Sequence, residues 1–499
     1  MSTTTSFRPY DGRPCGTVDN TTTDEVEALV EQAAGAATEV AGVEPAKRRD
    51  WLYAVADSLE SHTDELAALA DEETGLGPVR LTSEVARTAG QLRFYGDVAA
   101  EGSYLGVTLD QATATTPRLV RVNQPLGPVA VFGASNFPFA ISVLGNDTAS
   151  ALAAGCPVVA KAHPAHVRLS LADIAEKALR GAGAPEGAFS LVVGGQAGVD
   201  LVRSDGIRAV AFTGSQTGGL ALWRMANERE HVIPVYAEMG TVNPVVVTRA
   251  AAARIEDIAR GYVGSFTLGW GQFCTKPGLL LVPRGHDTAR LVGAALAQAA
   301  PQPVMLTEAI AAAVERGLRD LQAAGASVVR TVSGTGTGFR APAAVLSAPI
   351  TALRAGSRLL EECFGPVALV VEYADDKELR TALGTLQGSL AGTVMTGDET
   401  DPHGPWLVRT LTRTVGRVTV NDWPTGVAFT WAQHHGGPWP ATSDARSTSV
   451  GAAALDRFVR PVTYQSAPDA WVPTAGQDDN PWGVPRRIDG RPEKFRGGR

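Results

Sequence analysis

Apolar residues fall at helical spacing early in the chain: Val26, Leu29, Val30, Ala33, Ala37 and Val40 line one face of a helix predicted over 24–42. Thr22 and Glu25, at its start, have the spacing of a capping box. A second amphipathic helix is predicted from Arg48 to Glu73. The pattern changes over 104–125, where Leu105, Val107 and Leu109, then Leu119, Val120 and Val122, bracket a Thr-rich middle. That stretch reads as two strands or a long arm.

From Pro128 onward, short apolar runs alternate with helical ones. Strands are predicted at 128–132, 157–161, 189–193, 208–212, 232–236 and 244–247, with helices at 146–155 and 168–182. A second series follows: helix 255–265, strand 278–282, helices 286–300 and 307–324, and strands 327–331, 367–372, 390–395 and 416–420. Short apolar strands separated by helices are the mark of a mostly parallel sheet covered on both faces. The fold class is α/β, in two units joined near residue 240. The last thirty-odd residues, rich in Pro, Trp and Asp, read as an irregular surface tail.

Composition narrows the function. A chain of 499 residues, 44% hydrophobic, is too long for one ordinary core and too apolar to be disordered. The formal net charge of -8 gives no basic field for nucleic acid, and the basic tail from Arg486 reads as a solvated terminus. Four cysteines, at 15, 156, 274 and 363, form no Cys-x-x-Cys pair, which suits a reducing compartment. The N-terminus lacks a secretory pattern, and no apolar run is long enough to span a bilayer. The expectation is a cytoplasmic, soluble protein of several domains with no membrane partner.

Five segments carry candidate chemistry. Cys274 stands in the glycine-rich turn Gly269-Trp270-Gly271-Gln272-Phe273-Cys274-Thr275-Lys276-Pro277-Gly278, between a predicted helix and strand. Such a turn can present a sulfur to a ligand, although a lone cysteine is more often a small buried hydrophobe. Glu238 follows the run 232–236, at the strand end where open α/β sheets bind ligands. It suits a general base for water, or a carboxylate that caps a turn. Asn136, after the strand 128–132, can donate to an oxyanion or simply shape its turn. The run Phe212-Thr213-Gly214-Ser215-Gln216-Thr217-Gly218-Gly219 opens a helix whose amides could hold a pyrophosphate, without a GxGxxG or P-loop spacing. Lys161 ends a buried strand, placed for a ribose or phosphate, or snorkelling at the rim.

Together, in order and spacing, FGASNFP, VVAKAHPA, FTGSQTGG, AEMGTVNP, GQFCTKPG and EECFGPV resemble the signature segments of the aldehyde dehydrogenase superfamily, from about residue 20 to 465. Within it, LGNDTASALAAGCPVVAKAHPAH, HGGPWPATSDARSTSVGAAALDRFVRPVTYQ and the tail DDNPWGVPRRIDG resemble the branch of α-ketoglutaric semialdehyde (2,5-dioxopentanoate) and NADP-dependent aldehyde dehydrogenases. The resemblance implies the aldehyde dehydrogenase fold: two open α/β domains, one Rossmann-like for the cofactor and one catalytic, plus a small β oligomerisation arm. The cofactor-binding domain would comprise 1–103, 126–240 and 436–455, and the catalytic domain 241–435. The arm would be 104–125, and the oligomerisation strand with the tail 456–499. The arm and the segment near 456–467 would add strands to a neighbouring subunit, giving a homodimer or homotetramer.

The same resemblance implies roles. Cys274 would be the nucleophile, Glu238 the base, and Asn136 the oxyanion donor together with the backbone amide of Cys274. Lys161 would contact the adenosine ribose. Ser135, Gly214, Ser215 and Gly219 would line the cofactor, and Glu362 and Phe364 would meet its nicotinamide half. The reaction would be oxidation of an oxo-acid semialdehyde through a thiohemiacetal and a thioester, or of a medium-chain or aromatic aldehyde. Pro164 stands where NAD-preferring relatives commonly carry a glutamate, which leaves room for a 2′-phosphate and favours NADP, with NAD usable. Lys276 could pair with a substrate carboxylate or be a solvated lysine. A CoA-acylating enzyme would not need Glu238, and a hydrolase would need a G-x-S-x-G elbow, which is absent; the pair His434-His435 lies beyond the matching segments. A non-catalytic member would be expected to have lost Cys274, Glu238 or Asn136.

Overall fold

A computed structural model describes residues 2–169 and 171–493. The predicted capping box forms: the Thr22 amide donates to Glu25 Oε2 at 2.8 Å and the Glu25 amide to Thr22 Oγ1 at 3.3 Å, opening helix Thr23–Gly42. The single helix predicted over Arg48 to Glu73 is two, Pro45–Ser61 and Thr63–Thr74. They part at His62, whose ring nitrogen turns back to the Ser58 carbonyl.

A long helix, Pro78–Glu101, was not predicted, because Glu84, Thr88 and Gln91 are buried on the face that should read as apolar. Its polar groups are used locally. Glu84 Oε1 accepts from the amides of Phe139 and Ala140, at 3.0 and 3.1 Å, and Arg80 donates to the Asn136 carbonyl at 2.6 Å. This helix therefore holds the turn that follows the first inner strand.

The first large sheet has five parallel strands in the order Phe189–Val192, Val158–Lys161, Val129–Phe132, Ala209–Gly214, Val235–Met239. Chain order reverses between Val129–Phe132 and Ala209–Gly214, so the turns after Phe132 and Gly214 flank the switch point where such sheets bind ligands. The last strand begins three residues later than predicted, since Pro234 cannot donate to a ladder. Helix Leu171–Gly181 stands within the predicted 168–182, of which Ser170 lies outside the described residues.

The chain leaves this sheet at Met239 and enters a seven-stranded one at Pro244. There Pro244–Val247 pairs in parallel with Leu279–Pro283 on one side and Ser389–Met395 on the other. Parallel pairing brings the starts of Pro244–Val247 and Leu279–Pro283 together. The end of the Glu238 strand is thereby set against the turn that carries Cys274. Strand Ala343–Pro349 was missed; its alanines and flanking prolines hide a run that pairs on both sides.

The segments 107–110 and 119–125 form strands of a third sheet, with Val459–Gln465 beside Leu119–Pro125 in the same chain. The tail is more ordered than expected: Arg486–Ile488 pairs in parallel with Val107–Asp110 and antiparallel with Arg491–Pro492. The rest of the basic tail, from 494 onward, lies outside the described residues. No helix among the described residues is long and apolar enough to cross a membrane.

Candidate active site

Cys274 follows a sharp left-handed turn through Gly269, Trp270 and Gly271, with φ of 55°, 60° and 69°. At Gly271 the requirement is also steric: a Cβ would lie 2.3 Å from the backbone of Gly365. The turn is fixed from below by Asn243, itself at φ 49° and fully buried. Its Nδ2 lies within hydrogen-bonding distance of the carbonyls of Thr241, Cys274 and Lys276, at 3.1, 2.8 and 3.1 Å, and its Oδ1 accepts from the Ala391 amide at 3.0 Å. One side chain thus ties the crossing between the two sheets to the cysteine and the residues just after it.

The Cys274 sulfur is half-buried and lies 3.4 Å from His435 Nε2. The same nitrogen is 3.1 Å from Glu238 Oε1. Ser449 orients the carboxylate by donating to Glu238 Oε2 at 2.6 Å. Burial works to raise the Glu238 carboxyl, but His435, the Ser449 hydroxyl and the Cys274 thiol outweigh it and hold it below the usual range. The Cys274 thiol is pushed up, first by burial and then by the charges of Glu238 and Glu362. A thiolate here needs a cation or a proton acceptor at hand, and His435 occupies that place.

Asn136 is buried and donates from Nδ2 to the Gln272 carbonyl at 2.8 Å, two residues before the cysteine. One amide hydrogen is used in this contact, leaving the other for a ligand. Cys274, Glu238 and Asn136 are therefore brought to one place. Phe137 and Phe273 meet edge to face, 5.2 Å between ring centres. The Arg80 guanidinium lies 5.2 and 5.4 Å from those rings, and that of Arg87 5.5 Å from Phe137. Arg87 and Arg417 hold the loop beside Thr275, donating to the carbonyls of Val427 and Gly426 at 2.9 and 3.0 Å. Both have a buried Nε without a hydrogen-bond partner, and both are near enough to the sulfur to feel its charge.

The residues predicted for a cofactor gather around the first sheet's carboxyl ends. Ser215 caps helix Gln216–Asn227, its hydroxyl accepting from the Gly218 amide at 3.1 Å. Gly219 lets that helix close on Met239, where a Cβ would meet the sulfur at 2.7 Å. Lys161 ends its strand half-buried, and Ser135 is half-buried beside Asn136. The Glu362 carboxylate lies over Gly240, so close that a Cβ there would overlap it. Thr213 Oγ1 and Glu362 Oε1 are buried without hydrogen-bond partners, the condition of acceptors awaiting a ligand's hydroxyls. These residues fit a dinucleotide. Phe364, half-buried, follows on the same loop.

Lys276 is neither solvated nor turned toward a substrate. It is buried, and its Nζ donates to the carbonyls of Cys363 and Val367 at 2.9 and 2.8 Å, fastening the cysteine turn to the Glu362 loop. His435 is the residue that sequence reasoning missed: it lies 161 positions beyond the cysteine, and no local motif links the two.

The site lies between two α/β sheets and gathers a cysteine, a histidine, a glutamate and an asparagine amide. The chain belongs to the aldehyde dehydrogenase family, whose profile it matches over residues 2–439, and it is an oxidoreductase acting on aldehydes. It is 44% identical over 465 residues to alpha-ketoglutaric semialdehyde dehydrogenase 2 of Azospirillum brasilense, covering 90% of this chain and 88% of that one. It is 38% identical over 499 residues to the alpha-ketoglutaric semialdehyde dehydrogenase of Acinetobacter baylyi, covering 97% and 95%. Its fold matches the NAD+ complex of aldehyde dehydrogenase from Bacillus cereus with a TM-score of 0.80, at 22% identity and over 93% of each chain.

Burial raises the Glu362 carboxyl from 4.5 to about 7, against the opposing pull of Lys276 and Arg358. A carboxyl raised on folding favours the folded state while protonated, and loses that advantage as pH climbs from 4.5 to about 7. The thermal midpoint of Glu362→Gln should therefore gain on wild type across that window and level off above it. A constant difference between the two proteins over the window would show an ordinary, solvated carboxylate.

Proposed function

We propose that this enzyme oxidises an oxo-acid semialdehyde of the α-ketoglutaric semialdehyde type to the corresponding dicarboxylic acid. The observation that carries the chemistry is the meeting of the Cys274 sulfur, His435 Nε2 and Glu238 Oε1 within hydrogen-bonding distances. His435 Nε2 takes the thiol proton as the sulfur attacks the carbonyl, and the Glu238 carboxylate steadies the imidazolium. Asn136 Nδ2 and the Cys274 amide donate to the oxyanion. Cys274 carries the substrate first as a thiohemiacetal and, after oxidation, as a thioester. Glu238, held as a carboxylate, then activates the water that releases the acid.

The cofactor is a nicotinamide dinucleotide, which when bound supplies the two-electron acceptor of the oxidation. Ser135, Gly214, Ser215 and Gly219 receive its diphosphate side, Lys161 its adenosine ribose, and Glu362 and Phe364 its nicotinamide half. NADP is the preferred form. Exposed Pro164, three residues beyond Lys161, puts no carboxylate where a 2′-phosphate would sit.

The substrate reading draws on the two α-ketoglutaric semialdehyde relatives and on the guanidinium groups of Arg87 and Arg417. A half-buried guanidinium with an unused Nε–H is a natural receptor for the carboxylate of an oxo acid. The Phe137–Phe273 pair favours a second reading, a medium-chain or aromatic aldehyde. Steady-state kinetics on semialdehydes, alkanals and benzaldehydes, each with NAD and with NADP, separate the two. The semialdehyde with NADP should give the highest kcat/KM, and Arg87→Gln should raise its KM at least tenfold while leaving alkanals within about twofold. Equal losses on charged and uncharged aldehydes would remove the arginine from substrate recognition.

We also infer a homodimer or homotetramer. Strands Val459–Gln465 and Val415–Val420 each lie at the edge of a sheet, and unpaired edges are common joining surfaces. A monomer in sizing experiments at micromolar concentration would contradict this.

A further inference from the structure

We propose that the Cys274 sulfur, His435 Nε2 and a Glu238 oxygen form a reversible, inhibitory binding site for a soft divalent cation, zinc above all. The three ligand atoms all lie within 4.8 Å of one another. Two of the separations are 3.4 Å for sulfur to nitrogen and 3.1 Å for nitrogen to oxygen. In a tetrahedral zinc site, bonds of about 2.3 Å to sulfur and 2.0–2.1 Å to nitrogen or oxygen place neighbouring ligand atoms about 3.3–3.6 Å apart. These two sides need to open by only a few tenths of an ångström. Thiolate, imidazole and carboxylate are the donor types zinc prefers, whereas magnesium and calcium favour oxygen alone.

The surroundings favour a cation. Glu238 Oε1 is buried and has no hydrogen-bond partner. A divalent ion would satisfy that oxygen and displace the thiol proton to solvent, leaving a zinc-bound thiolate with a water in the fourth position. The sulfur can then no longer attack a carbonyl, nor can Glu238 take a proton from water. Two features mark the site as inhibitory rather than structural. His435 Nδ1 is buried without a partner, so the orienting contact usual behind a resident zinc is missing. The three ligands also reach the site from separate segments already held by Asn243, Ser449 and Thr448.

The ion would take the same side chains as the proposed reaction but none of its steps, and its binding is read without turnover. Equilibrium dialysis of the reduced protein against zinc chloride should give one ion per chain, removable by a chelator. Cobalt chloride should give a near-ultraviolet thiolate charge-transfer band together with the intense visible bands of a tetrahedral ion. Cys274→Ala should abolish both signals, and His435→Asn and Glu238→Gln should each weaken binding at least tenfold. Cys15→Ser, at a distant half-buried thiol, should leave binding unchanged. Full binding in Cys274→Ala, or equal affinity in His435→Asn and wild type, would overturn the three-ligand site. So would the absence of a thiolate band with cobalt. None of these results would bear on whether the wild-type protein oxidises aldehydes.

Discussion

Two separately built sheets must deliver a sulfur and a carboxylate to the same few ångströms, and a single buried amide sets how they meet. Asn243 stands where the chain crosses from one sheet to the other, in a left-handed conformation, and its Nδ2 faces the carbonyls of Cys274 and of Lys276 just beyond it. Its Oδ1 takes the Ala391 amide from the neighbouring strand. Buried carbonyls left without donors are costly, of order 1–3 kcal/mol each, so the turn has little freedom to drift from the strand end that carries Glu238. Lys276 adds a second tie, to the loop of Glu362. The glycines at 240 and 271 follow from the same constraint, since the Glu362 loop lies against both backbones.

That closeness has an electrostatic consequence. A sulfur beside two carboxylates in a half-buried crevice resists ionisation. His435 Nε2 lies between the sulfur and Glu238, 3.4 and 3.1 Å from them. Arg87 and Arg417 act at longer range. Their charges are partly desolvated, and their free Nε–H groups suit an anion better than an apolar tail.

Much of this was legible in the sequence, and the reasons differ by residue. Cys274, Asn136 and the run from Thr213 to Gly219 stand in turns that glycine and strand ends mark locally, and Glu238 closes an apolar strand. Parallel order then brings those ends together. His435 was not legible, because only the packing of 434–437 against 447–450 carries it to the sulfur. Lys276 was misread, because a lysine's charge suggests solvent while two carbonyls inside the fold can hold it instead. The helix Pro78–Glu101 was hidden for a similar reason: its buried face is polar where it grips the turn after Asn136.

The central claim, that Cys274 carries the substrate and Glu238 frees it, is open to a direct measurement. Glu238→Gln is mixed with the semialdehyde and the dinucleotide, quenched in acid, and mapped by peptide mass spectrometry. An acyl group should accumulate on the peptide containing Cys274, approaching one per chain, and should be absent from Cys274→Ala. An unmodified Cys274 in a variant that still turns over, or an acyl group on another residue, would contradict it.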